Sequence, residues 1–419
     1  MSESLPTAGL AGRVGRVWPA LLNRHFRLLW VGMLPSTLSW QWSTVVTGYA
    51  ALTLSDSAVA LGLVASASGL PMLVLSPIGG VAADRFPRRR LLILTQSILG
   101  ASAGVVAVLT LAGWLEVWHL VALGLAQGVA FSFNMPARQA YIGEILGPRL
   151  VRNAVAISNS GMNFNRIVGP PIAGILLASP LVGIGGVFAL MTLLYGIAIS
   201  TLFRLPSPPG ARHDAPAGIG GAIEQLLEGL RFIRDSVPLR TLILTAMGIL
   251  FFGMPYQQLM PLFSERVFEV GAVGLGTLMA GNGIGALVGS IGVSMLSGVR
   301  RQALLQITFG AGYGLGLVGF ALAPTFSIAV VMLAIVGALS AAYTTSNNSL
   351  VMGNSEPRFH GRVMSIYLLT FAITPLSTLP MSWLSEHIGP RLTIAGAGAI
   401  VAAIALGVAA LYPPYRRIR

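Results

Sequence analysis

The chain has 419 residues, 54% hydrophobic and 9% charged, with a mean hydropathy of +0.78 and a formal net charge of +13. A water-soluble domain carries about 25% charged residues, so the composition excludes a soluble enzyme or binding module and points to a polytopic membrane protein. Cysteine is absent, which excludes disulfides and thiolate metal sites, and all 26 basic residues are arginine.

In chain order, residues 1–25 form a polar tail with Arg13, Arg16 and Arg24. No short apolar core with a small-residue cleavage site follows it, so no cleaved signal peptide is expected. A crossing helix needs about 20 mostly apolar residues. Twelve stretches qualify: 26–52, 58–82, 91–113, 117–140, 153–178, 181–204, 239–263, 270–297, 302–322, 325–350, 361–384 and 388–412. The fold class predicted is an all-α membrane protein, twelve transmembrane helices in two six-helix bundles. The expected division is a tail at 1–25, a first bundle at 26–204, a linker at 205–238, a second bundle at 239–412 and a tail at 413–419.

The loop after the second span, GGVAADRFPRRR from Gly79 to Arg90, fixes the orientation. Asp84 and four arginines cannot lie in hydrocarbon, and short cytoplasmic loops collect arginine and lysine. With this loop inside, alternation puts 23 arginines in cytoplasmic segments, Arg138 among them, and two, Arg266 and Arg391, outside. Arg166 alone falls within a span. Both termini are therefore expected on the cytoplasmic face of a bacterial inner membrane. The net positive charge belongs to that face and calls for no nucleic acid.

The interruption at 205–238 opens with the Pro/Gly-rich PSPPGARHDAPAG and continues as IEQLLEGLRFIRD. Ile223, Leu226, Leu227, Leu230 and Ile233 recur at helical spacing, which predicts a flexible joint and then an amphipathic helix on the cytoplasmic membrane surface. The joint divides the spans six and six. The halves echo one another: SGVRRQALLQ after span eight stands where ADRFPRRRLLIL stands after span two, and EPRFHGRVMS after span ten matches LGPRLVRNAV after span four. Matching loops in two halves are a mark of pseudo-symmetric transporters. The second half lacks the acid of the first.

At Gly80-x-x-x-Asp84-Arg85-x-x-Arg88-Arg89 the chain resembles the major facilitator superfamily, with Pro87 where that family usually has glycine. Pro136 to Leu176 resembles more specifically its bacterial drug and siderophore exporters, the macrolide-efflux and enterobactin-exporter relatives. Arg166, Gly169, Pro170 and Gly174 match that family's antiporter-type pattern in span five. Gly124 stands where many superfamily drug antiporters carry arginine, and span one has no acid. The resemblance implies secondary export of a small amphipathic or hydrophobic compound by alternating access, coupled to protons, in a monomer without cofactor or metal. It implies no enzyme activity. An importer, or a non-transporting receptor of the same fold, stays open beside it.

A carrier of this kind needs a lock, a cavity and a coupling group. The expected cytoplasmic gate is Gly80, Asp84, Arg85, Arg88, Glu144, Arg149 and Arg362. Asp84 reads equally as a solvated loop charge. Arg166 lies about 13 residues into its span, roughly 20 Å deep at about 1.5 Å per residue. A guanidinium there is costly and marks function or a structural bond to neighbouring carbonyls. The expected cavity is lined by Trp40, Trp42, Tyr49 and Phe131 with Asn134, Asn163, Asn165, Gln257, Asn282 and Asn347. Each amide reads equally as interhelical glue. No acid falls in mid-span, which leaves Glu144 and Glu265 as proton carriers. The Gly-x-Gly run at 310–319 lies inside a span, not between a strand and a helix, so it is no nucleotide site.

Overall fold

The computed structural model describes residues 18–206, 219–296, 301–356, 359–411 and 415, and among these the secondary structure is helical throughout. Arg13, Arg16, Arg212, Arg300, Arg358, Arg416, Arg417, Arg419 and the first part of the joint lie outside the described residues.

The first crossing, α1 (Arg24–Ser55), begins at Asn23, whose side chain accepts from the N–H groups of His25 and Phe26 at 2.9 and 3.1 Å. That satisfies two of the four donors a helix start leaves open. It ends at Asp56, in left-handed backbone with φ 46°. The second crossing is in two pieces, α2 (Ala58–Ala67) and α3 (Gly69–Arg85), interrupted at Ser68. Then follow α4 (Arg88–Leu111), α5 (Val117–Ala178) and α6 (Gly183–Phe203).

At 62 residues α5 is too long for one crossing: at about 1.5 Å per residue it would run ~90 Å, against a hydrocarbon core of about 30 Å. Gly147, with φ 67° and ψ 174°, breaks it. That backbone region is essentially closed to residues with a Cβ, and Pro148 follows at once. The limbs 117–146 and 148–178 are therefore separate crossings, joined where the sequence predicts a loop.

The joint's helix, α7 (Ile219–Asp235), leads into α8 (Val237–Gly253) and the short α9 (Tyr256–Leu262), which closes in a π-turn over Phe263–Val267. The rest is α10 (Gly271–Met295), α11 (Gln302–Ala321), α12 (Phe326–Gly353), α13 (His360–Ile388) and α14 (Pro390–Leu411). Nine helical stretches among the described residues are long and apolar enough to cross a membrane. With α5 read as two, and with α1 and α13 long enough to cross, they are consistent with the twelve predicted spans.

The helix α7 docks chiefly on the second bundle and also meets α3 of the first. Phe232 stacks on Phe359 at 4.2 Å between centroids, Gly229 lies against Arg362 and Ile366, and Ile233 is buried, while Leu227 and Leu230 stay exposed. One side of the amphipathic helix thus has a protein partner rather than a membrane.

Arg138 departs from its expected place at a solvated face. Its guanidinium lies inside the first bundle near Leu29, Leu92 and Gln96, where Nη2 donates to Asn134 Oδ1 at 3.1 Å and Nε is buried without a partner.

The two ends of the molecule differ. At the end that carries Arg85, Arg88 and Arg89, the buried apolar residues form two separate clusters. One holds Phe26, Leu92 and Tyr141 of the first half; the other holds Leu239, Ile307 and Val363 of the second. Toward the opposite end a single cluster runs across both halves, from Val46 and Leu61 to Leu275 and Phe320.

Candidate functional site

Two seams join the halves, and both lie toward the arginine-poor end. Along the first, the 148–178 limb of α5 meets α10 backbone to backbone. A methyl placed on Gly174 would sit 2.5 Å from the Ala272 carbonyl oxygen, and one on Gly276 would sit 2.7 Å from that of Pro170. Real Cβ atoms do not come so close, so each helix needs glycine where it faces the other. Pro170 lacks the N–H that would bond the Arg166 carbonyl. That carbonyl instead lies against Gly283, 3.2 Å from where a Cβ would be. Along the second seam, α2 and the start of α3 meet α13. Gly62 abuts Ser382, a Cβ on Gly69 would sit 2.8 Å from that of Pro375, and Ser66 Oγ donates to the Pro375 carbonyl at 2.7 Å.

Charges finish this end. Arg266, in the π-turn, donates to the backbone carbonyl of Asp56 and, at 3.0 Å, to its Oδ1. It also lies 3.8 Å from Glu386 Oε2, which accepts the Ala58 N–H at 2.6 Å at the start of α2. Glu265, the neighbour of Arg266, has Oε1 buried with no hydrogen-bond partner, and the Tyr49 hydroxyl of the first half faces its carboxylate.

Beyond the first seam, toward the arginine-rich end, the helices part around a cavity of about 170 Å³. Asn163, Arg166 and Ile167 line it from α5, Gly283, Ala286, Leu287 and Ser290 from α10, Ser340, Ala341 and Thr344 from α12, and Met254 from the end of α8. Among the described residues no acid lines it. The Arg166 side chain makes no hydrogen bond or ion pair with any described residue, and it lies within electrostatic reach of the Tyr256 and Tyr313 hydroxyls.

Of the ten residues expected to line a cavity, the structure brings Asn163 to this one. The other amides are spent on packing bonds. Asn134 donates to Thr95 Oγ1 at 2.7 Å, and Asn165 to the Leu34 carbonyl at 2.8 Å and to Thr37 Oγ1 at 2.6 Å. Asn282 donates to Tyr256 Oη at 2.6 Å, and Asn347 accepts from Gln306 at 2.5 Å. Gln257 donates toward the Tyr256 hydroxyl at 3.4 Å. Trp40 and Phe131 pack with centroids 5.1 Å apart, Trp42 is buried, and Tyr49 sits at the charged end beside Glu265.

At the arginine-rich end, Arg88 pairs with Glu144 at 3.1 Å within the first half, and Arg362 with Glu228 of α7 at 2.7 Å. Arg89, part of the loop motif but not of the expected gate, caps the end of α6, donating to the Leu202 and Phe203 carbonyls at 2.9 and 2.7 Å. Asp84, Arg85 and Arg149 are exposed, and Asp84 makes no bond with any described residue. The sequence also gave no sign of the Asp56–Arg266–Glu386 network, whose members lie more than 100 positions apart.

A bundle pair with a polar cavity between its halves, sharing one apolar cluster toward one end and holding separate clusters toward the other, has the architecture of a membrane transporter of the major facilitator superfamily. Residues 16–416 match the transmembrane secretion effector family, and the chain belongs to it. It is 25% identical over 375 residues to the multidrug efflux pump Tap of Mycolicibacterium fortuitum, covering 87% of this chain and 89% of Tap. It is 26% identical over 353 residues to the enterobactin exporter EntS of Escherichia coli O127:H6, covering 83% and 82%. The fold matches that of a bacterial homologue of the human lysosomal transporter Spinster in its inward-facing, unoccupied conformation, with a TM-score of 0.72 at 15% identity over 94% of this chain and 98% of that one. It matches a D-xylose–proton symporter with a TM-score of 0.70 at 14% identity over 91% and 97%. The protein is a transporter rather than an enzyme.

Proposed function

We propose that this transporter exports a small amphipathic compound from the cytoplasm by alternating access, and that the conformation described is the one open to the cytoplasm. The observation that carries the reading is the asymmetry of the two ends: one apolar cluster and two seams toward the arginine-poor end, two separate clusters toward the other. The arginine bias makes the parted end cytoplasmic. Efflux as the direction rests on the relatives, which are named as a multidrug efflux pump and an enterobactin exporter. Coupling to protons fits Glu265 best. Its carboxylate faces the Tyr49 hydroxyl of the other half, so protonation and opening of this end share one contact. Glu144 is already paired with Arg88.

The test uses everted membrane vesicles and a panel of labelled amphipathic compounds. Uphill uptake driven by an imposed proton gradient is expected from the wild type. Glu265→Gln is expected to lose gradient-driven uptake while it keeps counterflow. Uptake only by right-side-out vesicles would reverse the direction, and full gradient dependence in Glu265→Gln would remove the residue from coupling.

Asp84 is proposed as the inner lock. It is exposed and unpaired in this conformation, so its bond would form only when the cytoplasmic end closes. Charge-assisted bonds contribute about 1.5–3 kcal/mol, and one made in a single state shifts the equilibrium by that amount. Asp84→Asn is expected to slow transport about tenfold at unchanged expression, and to lower labelling of cysteines in the external half of the cavity. Wild-type transport and labelling in this variant would exclude the role.

A further inference from the structure

We infer that the cavity beside Arg166 is an anion seat, and that the transported compound carries an acidic group, a carboxylate or an ionised hydroxyl, which Arg166 holds. The inference rests on the transporter reading above and names the chemistry of its cargo. A guanidinium carries five N–H donors and a charge that stays on in any protein environment. Placed at mid-membrane it demands partners. Here it has none among the described residues. Among the described residues no carboxylate lines the cavity, and in the sequence no acid falls in the middle of a predicted span. The carbonyl that Pro170 frees on Arg166 itself lies against Gly283, so the backbone does not satisfy the side chain either.

The rest of the lining agrees with an acidic guest. Asn163 adds an amide that bonds no described residue, and Gly283 and Ala286 leave room beside it, while the Ser340 and Thr344 hydroxyls donate to carbonyls of their own helix. A volume of about 170 Å³ is below the 300–1,000 Å³ of pockets that enclose whole drug-sized ligands. It suits a head group, with the apolar body of the guest directed to the parted, cytoplasmic end. A cation would meet an unneutralised arginine in a medium of low dielectric constant and be rejected.

The test measures binding and transport with one matched series: an aromatic carboxylate, its primary amide and its amine analogue, all fluorescent. Purified protein in nanodiscs is titrated with each, and the same compounds are followed in proteoliposomes, for the wild type, Arg166→Gln and Arg166→Lys. The wild type is expected to bind the acid at least tenfold more tightly than the amide and the amine least. Arg166→Gln is expected to bring the acid-to-amide ratio to about one. Arg166→Lys is expected to restore part of it, since the charge returns without the fork. Equal binding of acid and amide by the wild type would overturn the inference, as would an acid preference that survives in Arg166→Gln. If the acid binds with the expected preference but no compound crosses the membrane, the anion seat stands and the exporter reading falls. Loss of monodispersity in Arg166→Gln would not decide the matter alone, so the Arg166→Lys ratio and the wild-type acid-to-amide ratio are read independently of it.

Discussion

Replacing Gly276 by leucine is expected to lower transport to background while leaving the protein folded and in the membrane. Gly276 faces Pro170 and Pro171 of the other half, and even a methyl there would sit 2.7 Å from the Pro170 carbonyl oxygen. The obstruction is backbone, which cannot rotate away as a side chain could. Overpacking of this kind costs about 1–3 kcal/mol when neighbours can yield, and every 1.4 kcal/mol is about a tenfold change in an equilibrium constant. The cost falls on one state only. In the proposed cycle the arginine-poor end opens by taking α10 off α5, which removes the clash, so the variant is expected to be trapped open at that end. Gly174→Leu, opposed by the Ala272 carbonyl, is expected to behave alike. A single cysteine at Tyr49 in this cysteine-free chain reports the shift: labelling by an impermeant thiol reagent on intact cells should rise in Gly276→Leu. Normal transport in that variant, or loss of transport without a rise in labelling, would mean that the seam does not part.

Much of the fold is legible because the bilayer imposes so few solutions. The spans can be counted from apolar length, and Gly147-Pro148 ends one helix and starts the next by chemistry visible in two residues. The seams were half visible: the resemblance to an antiporter-type pattern picked out Gly169, Pro170 and Gly174, but their partners on α10 are ordinary glycines in a chain with 51 of them. Depth along a span can be read from sequence, whereas the face a residue presents cannot. Asn282 and Asn347 sit at cavity depth, yet they turn to Tyr256 and Gln306 and hold helices together. Arg166 and Asn163 lie three residues apart and both reach the cavity, while Asn165 between them turns to α1 and bonds the Leu34 carbonyl. A helical step of about 100° per residue makes that outcome natural, but without the neighbouring helix nothing selects the face. Arg138 went unrecognised for a related reason: near a helix end, an inward and an outward arginine have the same local sequence.

Joining positions 56 and 266 with a short bifunctional methanethiosulfonate, after Asp56→Cys and Arg266→Cys, is expected to stop transport fully, and a reducing agent is expected to restore it to the level of the uncrosslinked pair. Arg266 touches Asp56 at 3.0 Å across the arginine-poor ends of the two halves, so a covalent bridge there would hold that end shut. The ion pair itself is a weaker restraint. The Asp56 side chain is 91% exposed, and exposed pairs contribute about 0–1 kcal/mol, less as salt rises. Arg266→Gln alone should therefore change the rate only a few-fold, with the larger part of closure supplied by the glycine seams, whose contacts are unscreened. Glu386 adds its bond to the Ala58 N–H, where a carboxylate at a helix start is favoured by about 0.3–1 kcal/mol. Combining Arg266→Gln with Glu386→Gln should exceed either alone, because both anions answer to one guanidinium, and the departure from additivity measures the network. The sequence of effects is the discriminating result: covalent bridge complete and reversible, seam leucine nearly complete, charge removal partial. A charge-removal variant as dead as the bridged protein would give the outer latch to electrostatics rather than to backbone packing, and a bridged protein that still transports would place the moving parts elsewhere.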